Sequence, residues 1–200
     1  MQEELYARLA STEEVVRHQA IRYAIFGKEY GYLNPECCPN ELDDDGYDDD
    51  SFHVWCFDGS EEKIAGLCRF TLPTERELYT EIFCELPDLE VPRENWAELN
   101  RYGVMPAYRN LASTSQIRKL LMAAAYPELI KRNKKLVISG VHARFYALMT
   151  RQHTPIATIA TTPRAVPGYY EGYFSKNPDP VIAVKWTITD VGTYSGILKQ

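Results

Sequence analysis

Charged residues that interrupt apolar, strand-forming runs are costly to bury unless they are paired. This chain places them so at three points. Asp45-Gly46-Tyr47-Asp48 lies in an acidic loop just before an apolar run. Gly66-Leu67-Cys68-Arg69-Phe70-Thr71-Leu72-Pro73-Thr74 carries a cation at its centre, and Trp96 to Pro106 reads as a strand that holds Glu98 and Arg101. Together they predict a polar site inside a sheet. A carboxylate there could move a proton, and an arginine could clamp a carboxylate. The plainer alternative is that Glu98 only pairs with Arg101 or Arg69, and that the aspartates are a solvated loop.

The elements that must position these residues follow from the apolar spacing. Thr12-Glu13-Glu14, followed by Val15, Val16, Ala20, Ile21, Ala24 and Ile25, predicts a capped amphipathic helix ending near Gly31. Residues 34–50 are rich in Asp, Pro, Asn and Gly and predict a loop. Phe52–Phe57 and Lys63–Leu72 flank Asp58-Gly59 as the arms of an antiparallel hairpin. A short helix over Glu77–Leu86 and a strand over Trp96–Met105 come next. A long helix capped by Ser113 or Ser115 runs through Ile130, with a break expected at Pro127. A strand at Lys135–Ser139, a helix at Ala143–Arg151, and strands at Ile156–Ala160 and Val181–Ile188 complete the order. Tyr169, Tyr170, Tyr173 and Phe174 fall in the last connection. A hairpin followed by alternating strands and helices predicts an α/β fold: a single three-layer domain over residues 1–200 with a mixed, mostly antiparallel sheet.

With 200 residues, one domain can bury a real core. The net charge of −6 argues against a nucleic-acid partner. No run approaches the roughly 20 apolar residues of a membrane span, and the acidic start of the chain is unlike a secretory signal. Five cysteines, an odd count without CxxC spacing, fit reduced thiols in the cytoplasm and argue against a zinc site. His18, His53, His142 and His153 have no partner at metal-ligand spacing, so no metal and no cofactor is expected. The start Asp43-Asp44-Asp45-Gly46 is similar to a calcium loop, but the twelfth position counted from Glu41 is Phe52 rather than Glu. No Gly-x-Ser-x-Gly is present, which removes the usual serine hydrolase reading.

The chain resembles the N-acyl-homoserine lactone synthases, the autoinducer synthases of quorum sensing, which have the acetyltransferase-like (GNAT) fold. The resemblance rests on an ordered set of charged and aromatic positions, roughly in the N-terminal half. Arg22 and Phe26 stand four apart on the first helix; Tyr32 follows where the family has Trp; Asp45 and Asp48 flank Tyr47. Arg69 sits in Gly66-x-x-Arg69 ahead of Pro73-Thr74, and Glu98-Leu99-Asn100-Arg101-Tyr102 matches a Glu-x-Ser-Arg-Phe strand. A sister group, acyltransferases that make N-acyl amino acids, shares these elements, and Val104-Met105-Pro106-Ala107-Tyr108-Arg109 is similar to theirs.

The resemblance implies acyl transfer from an acyl-carrier-protein thioester (or acyl-coenzyme A) to the amine of S-adenosylmethionine, which is a substrate and not a cofactor. Glu98 would be the base, with Arg101 beside it, and a backbone N–H between Arg101 and Val104 would face the oxyanion. Asp45, Asp48, Phe26 and Tyr32 would surround a sulfonium and an ammonium. Arg22 and Arg69 would tie the acidic loop to the sheet, a loop expected to be mobile without substrate. In the C-terminal half Ile117, Leu121, Phe145 and Met149 would line the acyl chain, although each also suits ordinary core. The cationic stretch of Arg109, Arg118, Lys119, Lys131, Arg132, Lys134 and Lys135 would dock the carrier protein, since the segment 109–115 has no glycine for a pyrophosphate cradle. Two alternatives stay open: an N-acyl amino acid synthase with a free amino acid acceptor, and a non-catalytic binding module of the same fold.

Overall fold

The structure is a computed structural model, described here for residues 4–164 and 181–198. The aromatic cluster Tyr169, Tyr170, Tyr173 and Phe174 lies outside the described residues. A seven-stranded sheet runs in the order β1-β2-β3-β5-β6-β9-β7. Its strands are β1 (Leu5–Leu9), β2 (Ser51–Asp58), β3 (Ser60–Thr71), β5 (Trp96–Val104), β6 (Leu136–His142), β7 (Ala157–Thr158) and β9 (Val181–Thr187). The short pair β4 (Cys84–Glu85) and β8 (Thr162–Pro163) stands apart. Every pairing in the main sheet is antiparallel except β5 with β6.

Helices cover both faces. On one face lie α1 (Val15–Arg22) and α2 (Tyr79–Phe83). The other carries α3 (Leu111–Lys131), α4 (Ala143–Arg151) and α5 (Ile188–Tyr194). The alternation of β2 explains the split. Val54 and Cys56 join the core beneath α3, together with Ile117, Leu121 and Leu129. Trp55 and Phe57 point the other way and pack with Ile25 and Leu67. This is the three-layer mixed sheet that the element order predicts.

Three local features differ from expectation. β1 has no clear alternation in Leu5-Tyr6-Ala7-Arg8-Leu9, yet it pairs along β2. α3 is capped by Asn110, whose side chain accepts from the Ser113 amide at 2.9 Å; neither Ser113 nor Ser115 is the cap. Pro127 lies inside α3, which continues to Lys131. The first helix behaves as expected to Arg22, then widens into a π-helical segment over Tyr23–Glu29. Such widened turns shift the side chains that follow them and recur near functional sites.

Two features of β5 position the site. Parallel pairing with β6 covers only Trp96–Glu98 against Leu136–Ile138, so the strands part beyond Glu98. On its other edge Leu67 pairs with Gly103 and Arg69 with Asn100, which leaves one extra residue on β5. Arg101, in that bulge, has φ of +50°. A bulge re-aims the side chains that flank it, and a left-handed arginine in mid-strand persists only where its surroundings hold it.

Candidate functional site

Where β5 and β6 part, a cleft of about 450 Å³ opens through the sheet. Phe26, Tyr32, Tyr79 and Arg101 line it on the α1 and α2 side, and Tyr102, Phe145, Leu148 and Trp186 line it on the α3 and α4 side. Glu98 and Asn100 lie on the wall between, with Ser139 to His142 opposite. From Leu99 to Val104, β5 pairs only with β3, so its other edge faces the cleft. The Ser139 hydroxyl donates to the Leu99 carbonyl at 2.7 Å and fixes the width of the split at its apex.

Behind this wall lies a buried ion network. Arg22 donates to Asp43 Oδ2 at 3.0 Å and to both oxygens of Asp48 at 2.7 and 2.8 Å. Arg69 forks onto Asp45 at 2.7 and 2.8 Å and reaches Asp48 at 2.9 Å. Arg101 donates to Asp43 at 2.6 and 3.0 Å and to Asp45 at 3.0 Å. Tyr79 Oη donates to Asp45 as well. Burial pushes the Asp45 carboxyl up, but the guanidinium groups of Arg69 and Arg101 override it and hold it well below the usual carboxylate range. Burial likewise opposes ionisation of Asp48 and Asp43, and is outweighed by Arg22 at Asp48 and by Arg101 and Arg22 at Asp43.

The residues named from sequence therefore divide in two. Glu98, Arg101, Phe26 and Tyr32 line the cleft; Arg22, Arg69, Asp45 and Asp48 stand behind it and bind one another. The loop that carries the aspartates is anchored at three acids. Its mutual repulsion, which suggested mobility, is cancelled by three arginines. Asp43, fully buried between Arg22 and Arg101, belongs to the set, although its place in a run of like residues does not single it out in the sequence.

Glu98 is also fully buried. Its Oε1 accepts from the Thr80 amide at 2.6 Å and the Thr80 hydroxyl at 2.5 Å; its Oε2 accepts from the Tyr79 amide at 2.9 Å and Asn100 Nδ2 at 3.2 Å. A carboxylate has about four lone-pair sites, and here all are used. Burial pushes the Glu98 carboxyl up, against the bonds from Thr80 and Tyr79. The geometry is that of an anchor which binds the first amides of α2 to β5.

Of the acyl-lining residues, only Phe145 reaches the cleft, its ring 5.4 Å from that of Tyr102. Ile117, Leu121 and Met149 are closed into the core under α3 and α4, because they face the sheet rather than the split. The cationic stretch also breaks up. Arg118 is buried, donating to Tyr194 Oη at 2.8 Å and to Gln152 at the end of α4, so it is not available to a docking partner. Arg109 lines the cleft mouth and pairs with Glu29. Lys119 is exposed midway along α3. Lys131, Arg132, Lys134 and Lys135 lie at the far end of α3, a helix about 30 Å long. There the Lys135 amide donates to Asn95 at the start of β5, away from the split. Among the described residues no group of three metal-ligating side chains is present, and no helix is long and apolar enough to cross a membrane.

A family model described as an acetyltransferase (GNAT) domain matches residues 21–119. No curated protein sequence matches the chain. Several solved structures share its fold. TofI in a ternary complex with an inhibitor and MTA superimposes with a TM-score of 0.63 at 21% identity, covering 98% of this chain and 97% of that one. The CoA-dependent acyl-homoserine lactone synthase BjaI, with SAM and isopentyl-CoA, gives 0.69 at 17% identity over 97% of this chain and 89% of its own. The AHL synthase LasI gives 0.67 at 12% identity over 99% of both. The fold is thus the GNAT fold, in the form found in acyl-homoserine lactone synthases.

Proposed function

We propose that the protein is an acyltransferase that moves an acyl group from a thioester to the amine of S-adenosylmethionine, after which ring closure releases methylthioadenosine and leaves an acyl-homoserine lactone. The observation that carries this reading is the cleft through the split sheet. It joins a face of aromatic rings and Arg101 to a face of apolar side chains, so a polar acceptor and an acyl chain can meet at the plane of the sheet. That alignment is the first requirement of acyl transfer. The open edge of β5 offers main-chain N–H groups to the oxyanion that forms on the thioester carbonyl. The faces of Phe26 and Tyr32 suit a sulfonium. Glu98 and the ion network hold this wall in place. That BjaI was solved with SAM and isopentyl-CoA in the same fold is consistent with the reading.

The donor in this reading is an acyl-carrier protein or acyl-coenzyme A, entering past Arg109. One observation favours a second acceptor, a free amino acid: Asp45 and Asp48 are both taken up by arginines and leave no open carboxylate for a sulfonium. Mass spectrometry of lipids extracted from cells that express the chain separates the two. Acylated lactones support the first reading, acylated free amino acids replace it with the second, and no new acyl product points to a binding module.

A further inference from the structure

We propose that His142 is a catalytic residue that carries the proton between the acceptor nitrogen and the departing sulfur. The inference rests on the acyl-transfer reading and names the group that the cleft supplies for its proton transfer. In the reaction the neutral amine attacks the thioester carbonyl, and a C–N bond forms. The carbonyl electrons move to oxygen and return as the C–S bond breaks, with its electron pair leaving on sulfur. The nitrogen now holds one proton too many and the thiolate one too few. A single base that accepts the first and releases it to the second closes the balance, giving one amide and one thiol.

Position is the first argument. His142 is the last residue of β6 and the N-cap of α4, four residues beyond Ile138, where pairing with β5 ends. Its ring is part of the cleft wall and half-buried, with Nδ1 closed off from solvent, so the proton would pass through Nε2. It stands 5.7 Å from the ring of Tyr32, which in turn stacks on Tyr30 at 5.2 Å. It therefore borders the acceptor side, on the strand that faces the open edge of β5.

The second argument is what the other cleft groups can do. Glu98 has four donors on its four lone-pair sites and no exposure. Arg101 and Arg109 are permanently charged. Phenols keep their protons at neutral pH, and burial raises those of Tyr30, Tyr79 and Tyr102 further. Among the described residues that line the cleft, His142 is the one histidine, the side chain whose ordinary charge change falls near neutrality. A group that must both take and give a proton works best when its affinity lies near the working pH.

The test measures thiol release from acyl-coenzyme A and from acyl-carrier protein between pH 5.5 and 9, with S-adenosylmethionine and with a panel of free amino acids. Wild type, His142→Gln and Glu98→Gln are compared. The expected result for His142→Gln is a loss of about a hundredfold in kcat, with acceptor KM within threefold and the imidazole limb of the pH profile gone. Imidazole added to His142→Ala should restore part of the rate. A His142→Gln enzyme within threefold of wild-type kcat, or one affected in KM alone, overturns the role while the acyl-transfer reading stands. A folded wild type that releases no thiol with any donor and acceptor overturns that reading and this role together.

Discussion

Asp43 has no exposure to solvent and accepts from two arginines on different elements, Arg22 on α1 and Arg101 on β5. Its charge is what lets both cations stay buried. Asp43→Asn keeps the shape but leaves each guanidinium one anionic partner short. Removing one member of a buried pair costs about 3–5 kcal/mol, and that loss is expected here as a lower urea midpoint with an unchanged slope. Asp45 and Asp48 show the same logic from the other side. As a sequence they read as ligands of a substrate cation, with a solvated loop as the plainer alternative; in the fold their charges are spent on Arg22, Arg69 and Arg101. A sequence shows that acids and arginines are present. It does not show that they close on one another before any substrate arrives.

At the scale of elements, β5 does most to shape the site. Three paired residues hold it to β6, and beyond them the strand is free to line a cleft. Its bulge puts Arg101 into the left-handed region and aims the guanidinium at Asp43 and Asp45. Gly66 on β3 keeps this strand close. A Cβ there would stand 2.7 Å from Ile117 Cγ2 and 3.0 Å from the Gly103 carbonyl oxygen. The side chain of Ile117 is locked in the core and the carbonyl is main chain, so neither yields easily. Gly66→Ala is expected to cost about 1–3 kcal/mol, the usual scale of overpacking. Thermal unfolding should register it as roughly 2–4 °C for each kcal/mol lost.

The whole molecule carries two further expectations. His18 and His53 are buried between α1 and the sheet, their rings 4.6 Å apart, with Trp55 against His18. Burial holds His18 well below its ordinary value and brings His53 down to about 4, with Asp48 opposing the shift at 3.5 Å. Both histidines are therefore neutral in the fold at pH values where the unfolded chain binds protons. Stability is full above about pH 6.5 and falls as pH drops toward 4; for His53 alone the loss is about 3 kcal/mol. A second fall follows below about pH 4, where Asp45 and Asp48 protonate in the unfolded chain first. Urea titrations from pH 8 to 3 should show both, and His53→Gln should remove the His53 share of the first and leave that of His18. The other expectation concerns charge on the surface. Reversing Lys131 and Lys135 together, about 30 Å along α3 from the mouth, should leave the donor KM within twofold. Reversing Arg109 should raise it several-fold, which steady-state kinetics with carrier-protein thioesters checks directly.

By itself the sequence determined the three-layer order and most strands. The reason is local: apolar runs such as Phe52–Phe57, the Asp58-Gly59 turn and the long apolar stripe of α3 each encode their element within a few residues. It also determined which residue types gather near β5, because Arg69, Glu98 and Arg101 could not sit in strands without partners. Tertiary structure alone decided who those partners are. Asp43, Asp45 and Asp48 meet Arg22, Arg69 and Arg101 across as many as 58 residues of chain, and Tyr79 and Thr80 bond Glu98 from a helix that sequence placed but could not orient. It also decided which apolar residues are core and which are cleft. Ile117, Leu121 and Met149 share their chemistry with Leu148 and Trp186, and differ only in whether they face the sheet or the split. Periodicity tells which side of an element is buried. Where two strands part is set by the long-range register between β5 and β6, which no local pattern contains.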